Sequence, residues 1–253
     1  MNGFVLQAAE RSHVGAVRKV NEDAMVSRPE IGLFAVADGM GGHGSGDVAS
    51  AKVAAALAGA PAPRSAPAFL ADFESRIVAA NAQMRALARA NGAHLIGTTL
   101  AALLIHDAHY ACVWCGDSRV YLLREGELTR LTRDHSEVQD LLDRGLLDED
   151  EARVWPRRNI VTRALGVSET PELEIVDGPV RAGDRFLLCS DGLTGHVADP
   201  ELRSLMAVAD LASAARALID LTLQRGARDN VTVVLVACDR LSEKTVVTGS
   251  GRA

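Results

Sequence analysis

The chain has 253 residues, 48% of them hydrophobic, with a formal net charge of −6 at pH 7 and an isoelectric point near 5.7. This length suits one large domain with a substantial core, and the acidic balance argues against a nucleic-acid-binding protein. Hydrophobic runs fall short of the ~20 residues of a membrane span, and the first residues lack the pattern of a signal peptide. A cytoplasmic protein without a membrane partner is therefore expected.

The N-terminal part of the chain alternates between strand and helix patterns. The apolar run "GLFAVAD" (32–38) predicts a buried strand, and a helix is predicted to begin near Gly46 and to end before the three prolines of "GAPAPRSAP" (59–67). Apolar residues then recur at helical spacing and predict a second, amphipathic helix. They are Phe69, Phe73, Ile77, Ala80, Met84 and Leu87.

The middle of the chain changes to a strand pattern. "TTLAALLIHDAHYACVWCGDSRVYLLREGELTRLT" (98–132) predicts three or four short strands, separated by the turns "HDAH", "GDS" and "EGE". Turns this short predict that the strands they join are antiparallel neighbours. His106 and His109 are expected in a solvated hairpin turn, and Cys112 and Cys115 as buried thiols on opposite faces of one strand.

The C-terminal part combines short helices with two further strands. Residues 134–165 predict two or three helical turns, within which the charged segment 140–163 is expected to form a mobile flap. "RFLLCSD" (185–191) predicts a strand that ends in Asp, and "DNVTVVLVAC" (229–238) predicts a strand that begins just after one. The pattern as a whole favours antiparallel sheets covered by helices, followed by a polar tail at 241–253.

Four aspartates are predicted to lie at the ends of these strands. Asp38 and Asp191 each follow an apolar strand and precede Gly. Asp117 lies in a predicted hairpin turn, and Asp229 directly precedes a strand. Carboxylates gathered at one end of stacked sheets repel one another unless a cation neutralises them, and an oxygen-only set suits Mg²⁺ or Mn²⁺. The alternative is that each Asp only caps a turn.

The glycine-rich stretch "VADGMGGHGSGDVAS" (36–50) permits two interpretations. Gly39, Gly41 and Gly44 match the spacing G-x-G-x-x-G after a strand, which can indicate a dinucleotide site. Such a site also needs a parallel second strand and an acid about 20 residues further on, where this chain has its proline-rich segment. The favoured interpretation is that Asp38 is a metal ligand and that the glycines let the backbone approach the ion.

Eight segments, in order, resemble the motifs of bacterial metal-dependent protein phosphatases of type 2C. They are "VRKVNEDA" (17–24), "VADGMGGHGSGDVAS" (36–50), "GTTL" (97–100), "CGDSRVYLLR" (115–124), "LTRDHS" (131–136), "RNIVTRALG" (158–166), "LLCSDGL" (187–193) and "DNVTVV" (229–234). The resemblance implies an α+β fold, a four-layer α-β-β-α sandwich of two antiparallel sheets flanked by helices. It also implies a single catalytic domain over residues 1–240.

The resemblance further implies a set of metal ligands. Asp38 would bridge two metal ions, and the carbonyl oxygen of Gly39 would bind one of them. Asp191 and Asp229 would complete the first metal site. Two Mn²⁺ or Mg²⁺ ions would be bound tightly in this arrangement.

The remaining site residues receive their roles from the same resemblance. Glu22, with Asp23 nearby, would hold metal-bound water at the second ion. Asp117 would share a third, weaker metal ion with Asp191. Arg18 resembles the arginine that grips the substrate phosphate, a role that suits its planar, bidentate guanidinium.

The implied activity is the hydrolysis of phosphoserine and phosphothreonine in proteins by a monomer that opposes a bacterial Ser/Thr kinase. Two alternatives are a hydrolase of small phosphoesters and a catalytically inactive module that binds phosphoproteins. "VWCGDSRVYLLREG" and "RNIVTRALG" also resemble segments of phosphatases linked to type VI secretion kinases. The chain departs from the family at Met40, where many eukaryotic members carry a histidine, and at Arg228, where a small residue is common.

Overall fold

The computed structural model describes residues 4–41, 45–92 and 96–240. Its strands are β1 (Phe4–His13), β2 (Asp23–Arg28), β3 (Leu33–Gly41), β4 (Ile96–Thr98), β5 (Leu100–His106), β6 (His109–Cys115), β7 (Arg119–Arg124), β8 (Glu127–Arg130), β9 (Glu174–Pro179), β10 (Asp184–Cys189) and β11 (Val231–Arg240). Its helices are α1 (Gly46–Ala58), α2 (Ala66–Ala90), α3 (Glu137–Asp143), α4 (Glu149–Val154), α5 (Asp191–Thr194), α6 (Asp199–Met206) and α7 (Leu211–Gln224).

The strands form two sheets in which the paired strands are antiparallel. The first sheet has the order β1-β11-β10-β7-β8, and the second has the order β2-β3-β5-β6-β9, with β4 pairing to β3. Because β3 has antiparallel neighbours on both sides, the parallel strand that a dinucleotide site requires is absent from the described sheets.

Alternate side chains of each strand face two different layers, which follows from the period of two in a β-strand. In β3, Leu33 and Ala35 pack with residues of α1 and α2, whereas Phe34 and Val36 lie between the two sheets. In β10 of the other sheet, Leu187 packs with residues of α5, α6 and α7. The predicted α-β-β-α sandwich is therefore confirmed.

The predicted helix α2 is confirmed and is longer than its apolar stripe. Ser65 caps it by accepting a hydrogen bond of 3.3 Å from the amide of Ala68, and Pro67 lies in the first turn, where a missing N–H costs nothing. Five members of the stripe are fully buried against the second sheet, and Leu87 packs at its edge.

One predicted hairpin is wrong. The turns "HDAH" and "EGE" do join antiparallel neighbours, β5 to β6 and β7 to β8. The turn "GDS" instead carries the chain from β6 in one sheet to β7 in the other. Both edges of β6 are already paired, with β5 and β9, so the chain must leave that sheet. Asp117 consequently lies in a crossing between the sheets.

The cysteines behave as predicted. Cys112 points into the core between the sheets and Cys115 into the core beneath the helices. All four cysteines are free and buried.

Of two segments predicted from the sequence, the flap lies within the described residues and the C-terminal tail does not. The segment 140–163, the predicted flap, contains the second half of α3 and all of α4. The tail at 241–253 lies outside the described residues, as do Gly44 and His43. None of the helices described is long and apolar enough to span a membrane.

Candidate active site

Hydrogen bonds of its own backbone amide and carbonyl hold Asp38 in place within strand β3. The Asp38 amide donates to the Thr99 hydroxyl at 3.0 Å, and its carbonyl oxygen accepts from the Thr98 hydroxyl at 2.9 Å and from the Thr99 amide at 2.8 Å. Asp38 was predicted at the end of a strand, but β3 continues to Gly41. Beyond Asp38 the strand changes its partner from β5 to β4, and Asp38 lies at that change.

The glycines beside Asp38 are required by close backbone approaches. The Gly39 amide donates to the Glu22 carbonyl oxygen at 3.0 Å, and a side chain on Gly39 would overlap the backbone of Gly46. The Gly46 amide in turn donates to Glu22 Oε1 at 3.2 Å. The favoured interpretation of the glycine-rich stretch, that Asp38 is a metal ligand and that the glycines let the backbone approach the ion, stays a prediction with which these close backbone contacts are compatible.

Asp38, Asp191 and Asp117 form a group of mutually repelling acids. Loss of hydration, followed by the charges of Asp23 and Asp191, raises the pKa of Asp38 well above its usual range. Loss of hydration and the charge of Asp229 raise the pKa of Asp191, and a hydrogen bond with Asp38 partly offsets them. Loss of hydration and the charge of Asp191 also raise the pKa of Asp117. These effects show that the predicted aspartates do converge.

Asp23 adds a fourth carboxylate to this group and has an unsatisfied oxygen. The hydroxyls of Thr232 and Ser190 both lower the pKa of Asp23, and that of Ser190 donates to its Oδ2 at 2.8 Å, whereas its Oδ1 is buried and has no hydrogen-bond partner among the described residues. Loss of hydration raises the pKa of Asp23 to about 6. A buried, unpaired carboxylate oxygen is costly unless water or a cation contacts it.

Arg18 lies at the open side of the group. Its Nη2 donates to Asp229 Oδ2 at 2.7 Å, and the two side chains are 51% and 39% exposed. This hydrogen bond, and then the charge of Asp229, raises the pKa of Arg18. A guanidinium that is exposed on one side and held by a carboxylate on the other retains N–H groups for an incoming anion.

Asn230 has a role that sequence reasoning missed. Its Nδ2 donates to the carbonyl oxygens of Val14 and Val20, both at 2.9 Å, and its Oδ1 accepts from the Glu22 amide at 2.8 Å. A single buried amide therefore fixes the loop that carries Arg18. The sequence signal was an Asn directly after Asp229, a residue type that can both donate and accept.

A second missed group lies next to Asp117. Arg119 forms a bidentate pair with Asp134, with distances of 2.9 Å from Nε to Oδ1 and 2.6 Å from Nη2 to Oδ2. The charge of Asp134 adds to the pKa shift of Asp117, and that of Arg119 opposes it. Asp134 belongs to the motif "LTRDHS", to which the sequence reasoning gave no role.

The oxygen-only donor set fits a hard divalent cation. Within residues 4–41, 45–92 and 96–240, no three His, Cys, Asp or Glu side chains are already arranged as a metal cage. Instead the acids are engaged in pairs, Asp38 with Asp191 and Asp229 with Arg18. Several carboxylates with raised pKa values and one unpaired oxygen nevertheless suit Mg²⁺ or Mn²⁺, which prefer such ligands.

Comparison with known proteins agrees with this fold and site. Residues 11–235 match the family model described as "Protein phosphatase 2C", and the chain belongs to that family. It is 42% identical over 234 residues to the serine/threonine protein phosphatase PstP of Mycobacterium tuberculosis, covering 92% of this chain but only 45% of PstP. It is 35% identical to the serine/threonine phosphatase stp of Listeria monocytogenes, covering 92% of this chain and 96% of that protein.

Two solved structures have the same fold. The catalytic domain of PstP in complex with two manganese ions superposes with a TM-score of 0.86 at 40% identity, covering 93% of this chain and 99% of that one. PppA, described as a key regulatory component of T6SS in Pseudomonas aeruginosa, superposes with a TM-score of 0.86 at 43% identity. The match covers 92% of this chain and 97% of the PppA chain.

Proposed function

We propose that the protein hydrolyses phosphoserine and phosphothreonine in proteins, using divalent metal ions. The observation that carries this proposal is the convergence of Asp38, Asp117, Asp191 and Asp229 beside one exposed guanidinium, that of Arg18. The names of the relatives, serine/threonine phosphatases at 35–42% identity, support it. So does the structure of the PstP domain with two manganese ions.

The proposed ligand set is the one that the family resemblance implies. Asp38 would contact both ions, with the Gly39 carbonyl oxygen, Asp191 and Asp229 completing the set around them. Glu22 would act through water, with Asp23 beside it. The unpaired Asp23 Oδ1 supports a polar or cationic partner at that position. A third ion held by Asp117 and Asp191, and a choice between Mn²⁺ and Mg²⁺, are part of the proposal.

Bound divalent ions would lower the pKa of water far below its value in bulk and would polarise phosphoryl oxygens. The chain itself supplies binding and orientation. Arg18 presents a planar fork that matches two phosphoryl oxygens, and Asp229 and Asn230 hold its side chain and its loop. This arrangement offsets the negative charge that develops during phosphoryl transfer.

A covalent phosphocysteine route is disfavoured by the thiols. Burial raises the pKa of Cys115, Cys189 and Cys238 to about 12 and raises that of Cys112 further. The thiolate is the nucleophilic form, so these side chains remain inert at neutral pH. Direct attack by water is therefore the proposed route.

Substrates and partners follow from the family. Phosphorylated proteins are the proposed substrates and a Ser/Thr kinase the proposed opposing enzyme. Because the chain spans 45% of the length of PstP, the activity of that whole protein is not carried over. The similarity to PppA favours a role in regulating a secretion system as a second, more specific candidate. The flap at 140–163 is proposed to contact the substrate, and a monomeric state and a cytoplasmic location stay predictions.

The test is turnover of a phosphothreonine peptide and of p-nitrophenyl phosphate, a small ester, in Mn²⁺ by wild type and Asp38→Asn. Loss of both activities in the variant, with the peptide as the better wild-type substrate, is expected. Better turnover of the small ester would favour a small-phosphoester hydrolase. Peptide binding without turnover would favour the inactive binding module.

A further inference from the structure

A positively charged loop lies beside the proposed phosphate site. Arg228 directly precedes Asp229 and has an exposed side chain. Asp229 is the residue that pairs with Arg18, at 2.7 Å. The chain therefore places a second, exposed arginine directly beside the residue that holds the proposed phosphate-binding arginine.

Several contacts fix the backbone of this loop. The Arg228 amide donates to His196 Nε2 at 3.3 Å, and the Ala227 carbonyl oxygen accepts from the Ala16 amide at 2.8 Å. Gly15, with a φ of +83°, approaches the carbonyl oxygens of Ala227 and Asp229 so closely that a side chain there would overlap them. The loops that carry Arg18 and Arg228 are thus packed directly on each other.

The arginines around His196 differ in their counter-charges. Arg225 is neutralised by Glu201, with distances of 2.6 and 2.7 Å. The ion pairs formed within the described residues include neither Arg228 nor Arg158 of the 140–163 segment. Burial, and then the charges of Arg228, Arg225 and Arg158, lowers the pKa of His196. Arg228 therefore carries an exposed charge without an ion-pair partner, on the loop that packs against the loop of Arg18.

We infer that Arg228 forms a second anion-binding subsite next to Arg18. The subsite favours substrates that carry a carboxylate or a second phosphoryl group within a few residues of the phosphorylated Ser or Thr. An extended peptide advances about 3.3–3.6 Å per residue, so an anion up to three residues away lies within ~10 Å of the phosphoryl group. The inference rests on the proposed phosphatase function.

The test uses three phosphothreonine peptides that differ only two residues from the phosphothreonine, where they carry Gln, Glu or phosphoserine. The quantity measured is the ratio of kcat/KM for each anionic peptide to that for the Gln peptide, with hydrolysis of the phosphothreonine alone followed by mass spectrometry, because the phosphoserine is itself a substrate under the proposed function. This ratio cancels any effect of a substitution on metal binding. Wild type, Arg228→Gln and Arg216→Gln are compared, because Arg216 is exposed on α7 and its loss changes the net charge equally.

In wild type we expect a ratio of about two- to fivefold, the range of an exposed ion pair. Arg228→Gln should bring the ratio close to one, and Arg216→Gln should preserve it. A response to Glu identifies a carboxylate ligand, and a response to phosphoserine alone identifies a second phosphoryl group. A wild-type ratio near one, or a ratio that Arg228→Gln leaves intact, would overturn the inference.

Failure of the phosphatase function is detected separately. If wild type turns over none of the three peptides, the proposed function fails. The subsite is then decided by fluorescence anisotropy of the same labelled peptides in EDTA. Tighter binding of an anionic peptide that Arg228→Gln removes would support the subsite, and equal binding of all three peptides would refute it.

Discussion

Asp23 of β2 lies directly opposite Asp38 of β3 in the antiparallel register. Directly opposed like charges destabilise a sheet, and here both carboxylates belong to a group whose charges raise one another's pKa. The fold therefore tolerates an electrostatic cost at this position. A divalent cation would replace the repulsion between these carboxylates with attraction to the ion, which is the physical reason for expecting a metal here.

Asp38→Asn should separate stability from function. Removing one repelled charge should raise the melting temperature in EDTA, whereas loss of the proposed shared ligand should lower peptide turnover by at least ~100-fold. The measurements are thermal unfolding with and without Mn²⁺ and phosphate release. Asp177→Asn, an exposed change on β9, is the matched control and should alter neither. Retained turnover in Asp38→Asn would contradict the assigned ligand role.

The pH dependence of stability should reverse when metal is added. The pKa values of Asp23, Asp38 and Asp191 are raised in the folded state. Their protonation therefore contributes to the free energy of unfolding in full below the unfolded-state pKa of about 4. This contribution is lost as the pH rises through the folded-state pKa of each group. For Asp23 that loss is centred near pH 6.

In EDTA the melting temperature should therefore fall between about pH 4 and pH 7. In Mn²⁺ it should rise over the same range, because the ion binds deprotonated carboxylates. Differential scanning calorimetry in both series tests this. Parallel pH profiles with and without Mn²⁺ would show that these acids do not bind the ion.

Arg18→Ala should raise KM for the peptide more than it lowers kcat, if its guanidinium acts mainly in binding the phosphate of the ground state. Arg18→Lys is the matched control and should recover part of the loss, since it keeps the charge without the bidentate fork. Steady-state kinetics of the three proteins decide the point. An unchanged KM in Arg18→Ala would mean that Arg18 does not bind the substrate phosphate and is only a surface residue.

Asp117→Asn tests the proposed third ion. Asn keeps hydrogen-bonding capacity in the crossing between the sheets but removes the charge. We expect two tight ions to stay bound while turnover falls, most clearly at low Mn²⁺ concentration. Metal titration calorimetry alongside the rate at each Mn²⁺ concentration checks this. If Asp117→Asn keeps the wild-type rate at limiting Mn²⁺, Asp117 only shapes the backbone of the crossing and is not a metal ligand.

Asn230→Ala should loosen the loop that carries Arg18. It leaves the Glu22 amide and the carbonyl oxygens of Val14 and Val20 without their partner, at a cost of about 1–3 kcal/mol for each group that stays buried. Both the free energy of unfolding and kcat/KM should fall. Asn21→Ala removes two hydrogen bonds, the one that Asn21 donates to the Ser12 hydroxyl and the one that it accepts from the Asp23 amide, and should have a smaller effect. Equal effects of the two substitutions would contradict the role of Asn230 in fixing the loop that carries Arg18.

Local patterns predicted most elements but not their long-range partners. The stripe of α2 and the alternation in β3 are visible in sequence because burial of one face imposes a period. A strand pattern does not say which sheet a strand joins, so the crossing at "GDS" was mistaken for a hairpin. The contacts of Asn230 with Val14 and Val20 span more than 200 positions, and no local spacing encodes them.

The site was predicted unevenly for the same reason. Asp191 and Asp229 were found because they flank strands, and Asp38 because it follows an apolar run and precedes a glycine-rich stretch. The pairing of Arg119 with Asp134 was missed, since two charged residues in polar segments resemble an ordinary solvated surface. Their position beside Asp117, with Asp134 buried, depends on the arrangement of both sheets.

The most direct test of the central claim is an Mn²⁺ titration of wild type, with metal binding and phosphate release from a phosphothreonine peptide followed together. Metal dependence of the proposed activity predicts tight binding of two ions, phosphate release that appears as those sites fill, and complete loss in excess EDTA. Phosphate release that persists in excess EDTA, or Mn²⁺ binding with no release at any concentration, would contradict it.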